Sequence, residues 1–196
     1  MKIKKVGEDM KTVILASRSV RRRMILKNAG IEHLVKPSDV EIVEEIDYAI
    51  PIEEAVIKLA QRKAMYVFAS RPESIVIGAD TIVVVGEHVL GKPLDEADAT
   101  RMLRLISGKT HTVYTGVFIV SSERTASFTA KTEVEFQDLS DEEIEYYVNT
   151  GEVFDKAGGY AIQGFASRYI KGIKGDYYNV MGLPVCQLYH ILKTFK

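Results

Sequence analysis

A cluster of serines and arginines near the N terminus has the composition of an anion-binding site. Residues 15–23 read Leu-Ala-Ser-Arg-Ser-Val-Arg-Arg-Arg, which places Arg21, Arg22 and Arg23 in the first turn of a predicted helix. Helix N termini normally favour acidic side chains, because their free N–H groups and the helix dipole already carry partial positive charge. Serine hydroxyls, free amides and guanidinium groups together suit a phosphate. A solvated basic turn whose arginines pair with distant acids is the alternative, and this segment alone favours neither.

Asp80 is the candidate for acid–base or metal chemistry. It lies in Gly-Ala-Asp-Thr at residues 78–81, directly after an apolar, β-branched run. A carboxylate held at the end of a strand can bind a metal ion or act as a general base, whereas a turn aspartate that caps local amides is the simpler alternative. Lys92 follows on a rigid Gly/Pro loop at residues 90–93, which favours the functional interpretation.

A glycine-rich segment at residues 150–164 contains an adjacent acid and base and ends near Gln163. Glycines allow a backbone to approach a ligand closely, and an amide can read a nucleobase edge with one donor and one acceptor. The chain contains no GxxxxGK[ST] pattern and no strand–GxGxxG–helix unit, so neither a P-loop nor a dinucleotide fold is predicted. A structural bend remains the alternative for this segment.

The histidine and cysteine patterns limit the kinds of metal site. The four histidines are scattered without HxH or HExxH spacing, which argues against a histidine-bound zinc ion. Any metal is therefore expected to be a hard cation bound by carboxylate and phosphate oxygens. The single cysteine, Cys186, excludes an intramolecular disulfide, and its apolar surroundings predict a buried, unreactive side chain.

Hydrophobic periodicity predicts alternating strands and helices along the whole chain. Strands are predicted at residues 12–16, 74–78, 81–85, 112–121, 126–136, 160–162 and 168–173. Helices are predicted after Ser19 up to Gly30, from Pro51 to about Ser70, from Asp95 to Gly108, from Ser140 to about Thr150, and from about Pro184 onward. Crossover helices combined with hairpins predict an α/β fold with a mixed, partly antiparallel, twisted sheet and flanking helices.

The composition is that of an ordinary globular protein. Of 196 residues, 46% are hydrophobic and 27% charged, with 26 Lys and Arg against 27 Asp and Glu. This length suits a single domain over residues 1–196, built either around one core or as two lobes around a cleft. The near-zero net charge argues against nucleic acid as a partner. Without an apolar run of bilayer-spanning length or a secretory leader, the chain is expected to be cytoplasmic and not membrane-bound.

Six segments in order resemble the Maf family of nucleoside triphosphate pyrophosphatases. They are LASRSVRR at residues 15–22, similar to that family's LASxSPRR signature with Val20 in place of proline, GADT at 78–81, GKP at 91–93, MLRLISGKTHTVYTG at 102–116, TGEVFDKAGGYAIQG at 150–164 and NVMGLP at 179–184. The resemblance covers nearly the whole chain and implies a Maf/ITPase-like fold with a nucleotide in the cleft.

The resemblance also implies a role for each candidate residue. Asp80 corresponds to the catalytic acid/base and metal-associated carboxylate, with Glu41 as the second acid at a Mg²⁺ or Mn²⁺ ion. Ser17, Ser19, Arg22, Lys63 and Lys92 are expected to bind phosphates. Arg21, Thr81 and Gln163 fall where the family sets its base preference, and this combination resembles the branch that acts on dTTP and UTP.

The expected reaction is hydrolysis of a nucleoside triphosphate to the monophosphate and pyrophosphate, with dTTP, UTP or modified pyrimidine nucleotides as substrates. A regulatory protein of cell division that senses nucleotides in the same cleft without turnover is the alternative. A homodimer is compatible with either interpretation.

Overall fold

The computed structural model of the chain describes residues 11–38, 47 and 49–195. Its strands are β1 (Val13–Leu15), β2 (Leu34–Val35), β3 (Ile75–Val85), β4 (His88–Leu90), β5 (Thr110–Val120), β6 (Thr125–Phe136) and β7 (Ile170–Lys174). Its α-helices are α1 (Val20–Asn28), α2 (Ile52–Ala69), α3 (Glu96–Ile106), α4 (Asp141–Asn149), α5 (Tyr177–Val180) and α6 (Val185–Leu192). Two short 3₁₀ helices cover Ala157–Gly159 and Phe165–Tyr169.

Within the described residues, seven strands form one sheet in the order β2-β1-β3-β5-β6-β7, with β4 also paired to β3. β1 is parallel to β2 and β3, whereas β3, β5, β6 and β7 are antiparallel neighbours, as are β3 and β4. The prediction of a mixed, partly antiparallel sheet with flanking helices is therefore confirmed. The division of a single domain into two lobes stays a prediction.

Helix α2 covers one face of the sheet. Its buried alanines Ala60 and Ala64 form a core cluster with Val76 on β3 and Phe118 on β5. A Cβ atom on Gly116 of β5 would lie only 2.6 Å from the backbone oxygen of Val56. One on Gly78 of β3 would overlap the backbone oxygen of Ala60. These two glycines therefore allow the helix backbone to lie directly against the strands.

The opposite face of the sheet carries two apolar clusters separated by polar side chains. One cluster packs α1 and α6 against residues such as Ile77, and the other packs α3 and α4 against residues such as Val83. Between them, Thr81, Thr115 and Asn179 are joined by hydrogen bonds: the two threonine hydroxyls lie 2.9 Å apart, and Thr115 Oγ1 donates to the Asn179 carbonyl at 3.0 Å. A polar layer thus crosses the core where β3 carries Thr81.

Strands β1 and β4 pair with the same edge of β3 and leave a gap between them. β1 pairs with β3 as far as Ile77, and β4 pairs with it from Val83. Because β5 occupies the other edge of β3 from Val76 to Val84, β1 and β4 share an edge and residues 78–82 lie between them. Asp80 and Thr81 therefore lie beside a break in the sheet.

Most local predictions are confirmed. The β5–β6 hairpin forms, Asp95 caps α3 by accepting from the Asp98 amide at 2.7 Å, and Ser140 forms a capping box with Glu143. The prediction of two strands joined through Ala79 and Asp80 was wrong, because residues 75–85 form one strand whose pairing to β5 continues unbroken through both.

Three further predictions were wrong. Residues 160–162 are not a strand, because Gly158 and Gly159 have φ angles of 71° and 73° and turn the chain before Tyr160. The strand predicted from Arg168 begins only at Ile170, after a 3₁₀ helix. Cys186 is exposed and not buried, since it lies in the first turn of α6, a helix whose buried residue is Leu188.

His111 makes the stability of the fold depend on pH. Its side chain is buried, its Nε2 lies 2.7 Å from the Tyr160 hydroxyl, and burial lowers its pKa from 6.5 to about 4. The unfolded chain therefore binds a proton at a higher pH than the folded chain does. This difference costs no stability above pH 6.5, and the cost grows as the pH falls towards 4.

We expect this histidine to lower the free energy of unfolding by about 2 kcal/mol between pH 7.5 and pH 5. Urea unfolding at both pH values measures the loss. The variant His111→Gln keeps an amide to bond Tyr160 but does not titrate, so its loss over the same interval is expected to be smaller by that amount. An unchanged pH dependence in His111→Gln would contradict the assignment.

Candidate active site

A cleft of about 540 Å³ lies beside the gap between β1 and β4 on the edge of β3. This volume falls within the range of roughly 300–1,000 Å³ that is typical of small-molecule sites. All predicted site residues that the structure describes line this one cleft: Ser17, Ser19, Arg21, Arg22, Lys63, Asp80, Thr81, Lys92 and Gln163. Glu41 lies outside the described residues, so its place at the site stays a prediction.

The basic turn between β1 and α1 forms one wall of the cleft. Ser19 is the N-cap of α1 and accepts from the Arg22 amide at 3.4 Å, while Ser17 Oγ accepts from the Ser19 amide at 3.2 Å. No acidic side chain lies in the first turn of α1. The helix begins at Val20, although valine here replaces the proline of the LASxSPRR signature. The turn therefore presents a helix N terminus and serine hydroxyls to the cleft, a combination that suits an anion.

Arg22 is buried at the floor of the cleft and donates to several protein groups. Its Nε donates to the Gly182 carbonyl at 2.7 Å, and its Nη1 donates to the Ala79 carbonyl at 2.8 Å. Its Nη2 donates to Thr81 Oγ1 at 2.9 Å. Arg22 therefore braces the edge of β3 and orients Thr81, and phosphate binding by its guanidinium group stays a prediction.

Arg21 extends from α1 to the glycine-rich segment. Its Nη2 donates to the Asp155 carbonyl at 3.0 Å. Burial lowers the pKa of Arg21, and the nearby Asp155 charge partly opposes this effect. Asp155 has a φ angle of 61°, which is uncommon for a residue with a side chain. Such backbone strain is often found at binding sites.

Lys156 and Lys92 add positive charge to the same cleft. Burial lowers the pKa of Lys156, and the positive charge of Arg21 lowers it further. The loops that carry the two lysines are tied together, because the Gly158 amide donates to the Gly91 carbonyl at 2.9 Å. Cationic groups from separate parts of the chain therefore converge on one space, which favours a ligand with several negative charges.

Asp80 forms an ion pair with Lys63 in the cleft lining. The Lys63 ammonium group donates directly to Asp80 Oδ1, and both side chains are largely buried. Lys63 reaches the carboxylate because α2 packs closely on Gly78 and Gly116, and Gly116 is the register partner of Asp80 on β5. The pair fixes a carboxylate in the cleft that the cationic side chains also line.

Thr81 and Gln163 lie on different elements of the cleft lining. Thr81 is held by Arg22 and by Thr115, whereas Gln163 is exposed on the turn that follows Tyr160. Prediction from sequence assigned no role to Asp155, Lys156 or Tyr160, although all three line the cleft. The adjacent acid and base in the glycine-rich segment were the signal that could have identified the first two.

Among the described residues, no group of three or more His, Cys, Asp or Glu side chains could hold a metal ion. Of the two predicted metal ligands, the structure therefore describes only the Asp80 carboxylate, and a divalent cation here would also need Glu41 or oxygens supplied by a phosphate ligand. Such a ligand set suits the hard cations Mg²⁺ and Mn²⁺.

Comparison with known proteins gives both a family and a fold. The family model described as Maf-like protein matches residues 12–195. A dTTP/UTP pyrophosphatase of Bacillus cereus (strain ATCC 10987 / NRS 248) is 46% identical over 98% of this chain and 94% of its own length. A dTTP/UTP pyrophosphatase of Bacillus cytotoxicus is 48% identical over 95% of this chain and 96% of its own length.

A solved structure extends the fold comparison beyond close relatives. The Ham1 protein of Staphylococcus aureus aligns with 95% of this chain and 100% of its own chain at a TM-score of 0.53. Its sequence identity is 13%, so the likeness is one of fold alone.

Proposed function

Because this chain belongs to the Maf-like protein family, we propose that it is a nucleoside triphosphate pyrophosphatase. It cleaves the bond between the α- and β-phosphates and releases a monophosphate and pyrophosphate. The observation that carries this function is the Asp80–Lys63 pair, which lies in one cleft with the serines and arginines of the α1 N terminus. That arrangement combines a fixed carboxylate with groups that bind phosphates.

We infer that dTTP and UTP are the preferred substrates. The two relatives compared above are named for these nucleotides and are 46% and 48% identical over nearly the whole chain. Arg21, Thr81 and Gln163 would set the base preference, with Gln163 offering both a donor and an acceptor to the pyrimidine edge. Modified pyrimidine nucleotides would present a similar edge to the same residues.

The cationic walls of the cleft would bind and orient the triphosphate. Ser17, Ser19 and the free amides at the start of α1 would donate to phosphate oxygens, and Lys63 and Lys92 would neutralise their charge. Such positioning and charge stabilisation are the main protein contributions to phosphoryl transfer. Arg22 would act at the same end of the cleft, mainly by holding Thr81 and Ser17 in place.

Asp80 would orient a water molecule towards the α-phosphorus and accept its proton as the P–O bond to pyrophosphate breaks. Its bond to Lys63 keeps the carboxylate at one position next to the phosphates. A Mg²⁺ or Mn²⁺ ion held by Asp80, Glu41 and phosphate oxygens would supply further stabilisation of the negative charge on the departing pyrophosphate.

We also propose that the partner is a free nucleotide and not a nucleic acid, since the net charge of −1 provides no overall attraction to a polyanionic backbone. Among the described residues, no helix is both long and apolar enough to cross a membrane. The cytoplasmic location and the homodimer stay predictions.

A substrate panel tests the reaction. We expect incubation with Mg²⁺ to release pyrophosphate from dTTP and UTP faster than from CTP or 7-methyl-GTP. Separate detection of pyrophosphate and orthophosphate identifies the bond that is cleaved. Orthophosphate as the sole inorganic product would contradict cleavage between the α- and β-phosphates. Tight nucleotide binding without any product would instead support the regulatory alternative, which no observation on the described residues favours.

A further inference from the structure

The turn that carries Gln163 is short and open to the cleft. The Gly164 amide donates to the Ala161 carbonyl at 3.0 Å and closes the turn, leaving Gln163 exposed at its tip. This single internal bond does not fix the turn relative to the sheet. The position of the Gln163 amide in the cleft therefore depends on what holds the two ends of residues 161–165.

Two side chains from outside the turn hold these ends. The Ala161 amide donates to the Tyr147 hydroxyl at 3.3 Å. The Phe165 amide donates to both carboxylate oxygens of Glu152 at 3.1 Å. Tyr147 in turn donates its hydroxyl proton to Glu152 Oε1 at 2.9 Å. A continuous set of hydrogen bonds thus connects α4 to both ends of the turn.

Gly164 shows how closely the Glu152 carboxylate fits the turn. A Cβ atom at this position would lie 2.6 Å from the carboxyl carbon of Glu152 and still closer to its oxygens. The carboxylate therefore occupies the space that any larger residue would need. The contact as it stands depends on glycine, because a larger residue would have to displace the Glu152 carboxylate from the turn.

Tyr147 is a rigid support for this arrangement. It is fully buried on α4, and its ring stacks on Phe165 with the ring centroids 5.7 Å apart. Burial raises the pKa of Tyr147 above its ordinary value, and the bond to Glu152 raises it further. The hydroxyl therefore stays protonated and continues to donate to Glu152 across the physiological pH range.

We propose that Tyr147 and Glu152 are positioning residues that set the base preference of the cleft by fixing the turn that presents Gln163. This inference rests on the proposed function, in which Gln163 reads the pyrimidine edge. Neither side chain needs to touch the nucleotide. A shift of the turn by a fraction of an ångström would move the Gln163 amide out of hydrogen-bond distance from the base while leaving Asp80 and the phosphate-binding residues in place.

Uracil and cytosine nucleotides provide the test, because their bases differ in the donors and acceptors that an amide would read. We expect Tyr147→Phe and Glu152→Gln to lower the ratio of kcat/KM for UTP to that for CTP roughly tenfold, mainly through a higher KM for UTP. Tyr146→Phe is the matched control, since Tyr146 is the exposed neighbour on α4 and its hydroxyl holds no part of the turn. Its ratio should equal that of the wild type.

A double-mutant cycle shows whether Tyr147 acts through Gln163. On a Gln163→Ala background, Tyr147→Phe should produce no further change in the UTP to CTP ratio. An equal change on both backgrounds would overturn the proposal, as would an unchanged ratio in a folded Tyr147→Phe protein. A purely structural role for Tyr147 predicts a lower melting temperature with the wild-type ratio, which would also overturn it.

Amide hydrogen exchange tests the same inference independently of turnover. Tyr147→Phe should accelerate exchange in residues 161–165, and Tyr146→Phe should not. Unchanged exchange in that segment would overturn the proposal even if the wild type proved inactive. Conversely, faster exchange in a protein that releases no pyrophosphate would support the role of Tyr147 in holding the turn while rejecting the proposed reaction.

Discussion

Replacing Asp80 by asparagine is expected to lower kcat for UTP and dTTP by about 10²- to 10⁴-fold, the range associated with loss of a general base. Asparagine has nearly the same shape as aspartate but no negative charge. It can neither accept the proton of the attacking water nor neutralise a divalent cation. The substitution also removes the negative charge that pairs with the Lys63 ammonium group in this largely buried ion pair.

Asp80→Asn tests chemistry only if the variant folds. Far-ultraviolet circular dichroism and the melting temperature check the fold, while pyrophosphate release under saturating substrate measures kcat. Asp141→Asn is a suitable control, because Asp141 forms an exposed ion pair with Arg104 and neither residue lines the cleft. A folded Asp80→Asn protein with a rate close to that of the wild type would eliminate Asp80 as the catalytic base.

Replacing Gly116 by alanine is expected to destabilise the protein by about 3 kcal/mol or more, the upper part of the range for overpacked cores. The added Cβ atom would lie 2.6 Å from backbone atoms of Val56 on α2, and backbone cannot move aside as a flexible side chain can. Relief of this contact requires α2 to move away from β5. Because α2 also carries Lys63, the same movement should separate Lys63 from Asp80 and lower kcat/KM.

Gly172→Ala provides the matched control for Gly116→Ala. Gly172 lies on β7, and a Cβ atom there would have no neighbour within 4 Å. Urea unfolding gives the change in stability, and pyrophosphate release gives kcat/KM for the fraction that remains folded. Equal stabilities of the two variants would show that the close packing of α2 on the sheet is not required.

Local signals predicted much of the fold correctly. The Asp95 cap and the Ser140–Glu143 capping box depend on residues within one helical turn, and the β5–β6 hairpin depends on adjacent periodic segments. Each of these features is encoded by neighbours in the sequence. Hence they can be predicted without knowing the tertiary structure.

Pairing with the distant strand β5 determines that residues 78–80 are extended, whereas the local sequence pattern predicted a break between two strands. Gly78-Ala79-Asp80 has the composition of a turn, and the sequence alone favoured two separate strands. In the folded protein, Ala79 pairs with Val117 and Asp80 with Gly116, so the segment stays extended. The glycine allows the close contact with α2, a helix separated from β3 by five residues, and nothing in the local pattern reveals that contact.

In the candidate site, too, local motifs could be read from the sequence, whereas contacts between distant segments could not. The residues of the basic turn and the Asp80 segment were predicted from motifs, and the structure brings the described ones into one cleft. The burial of Arg22 against the Ala79 and Gly182 carbonyls was not predictable, because both acceptors are backbone atoms from distant segments. The contact of Tyr147 with the turn that carries Gln163 was hidden for a similar reason, because the Tyr147 hydroxyl accepts from a backbone amide, that of Ala161.

The unbroken course of β3 also limits how this chain can change in length. Successive residues of a strand face opposite sides of the sheet, so Asp80 faces α2 and Thr81 faces the polar layer. Inserting or deleting one residue within β3 would exchange these faces for every position beyond it, and a change between Ile75 and Asp80 would turn Asp80 away from Lys63. Length variation in descendants of this sequence should therefore be concentrated in surface turns such as residues 121–124. Strand β3 (Ile75–Val85) should vary only by substitution.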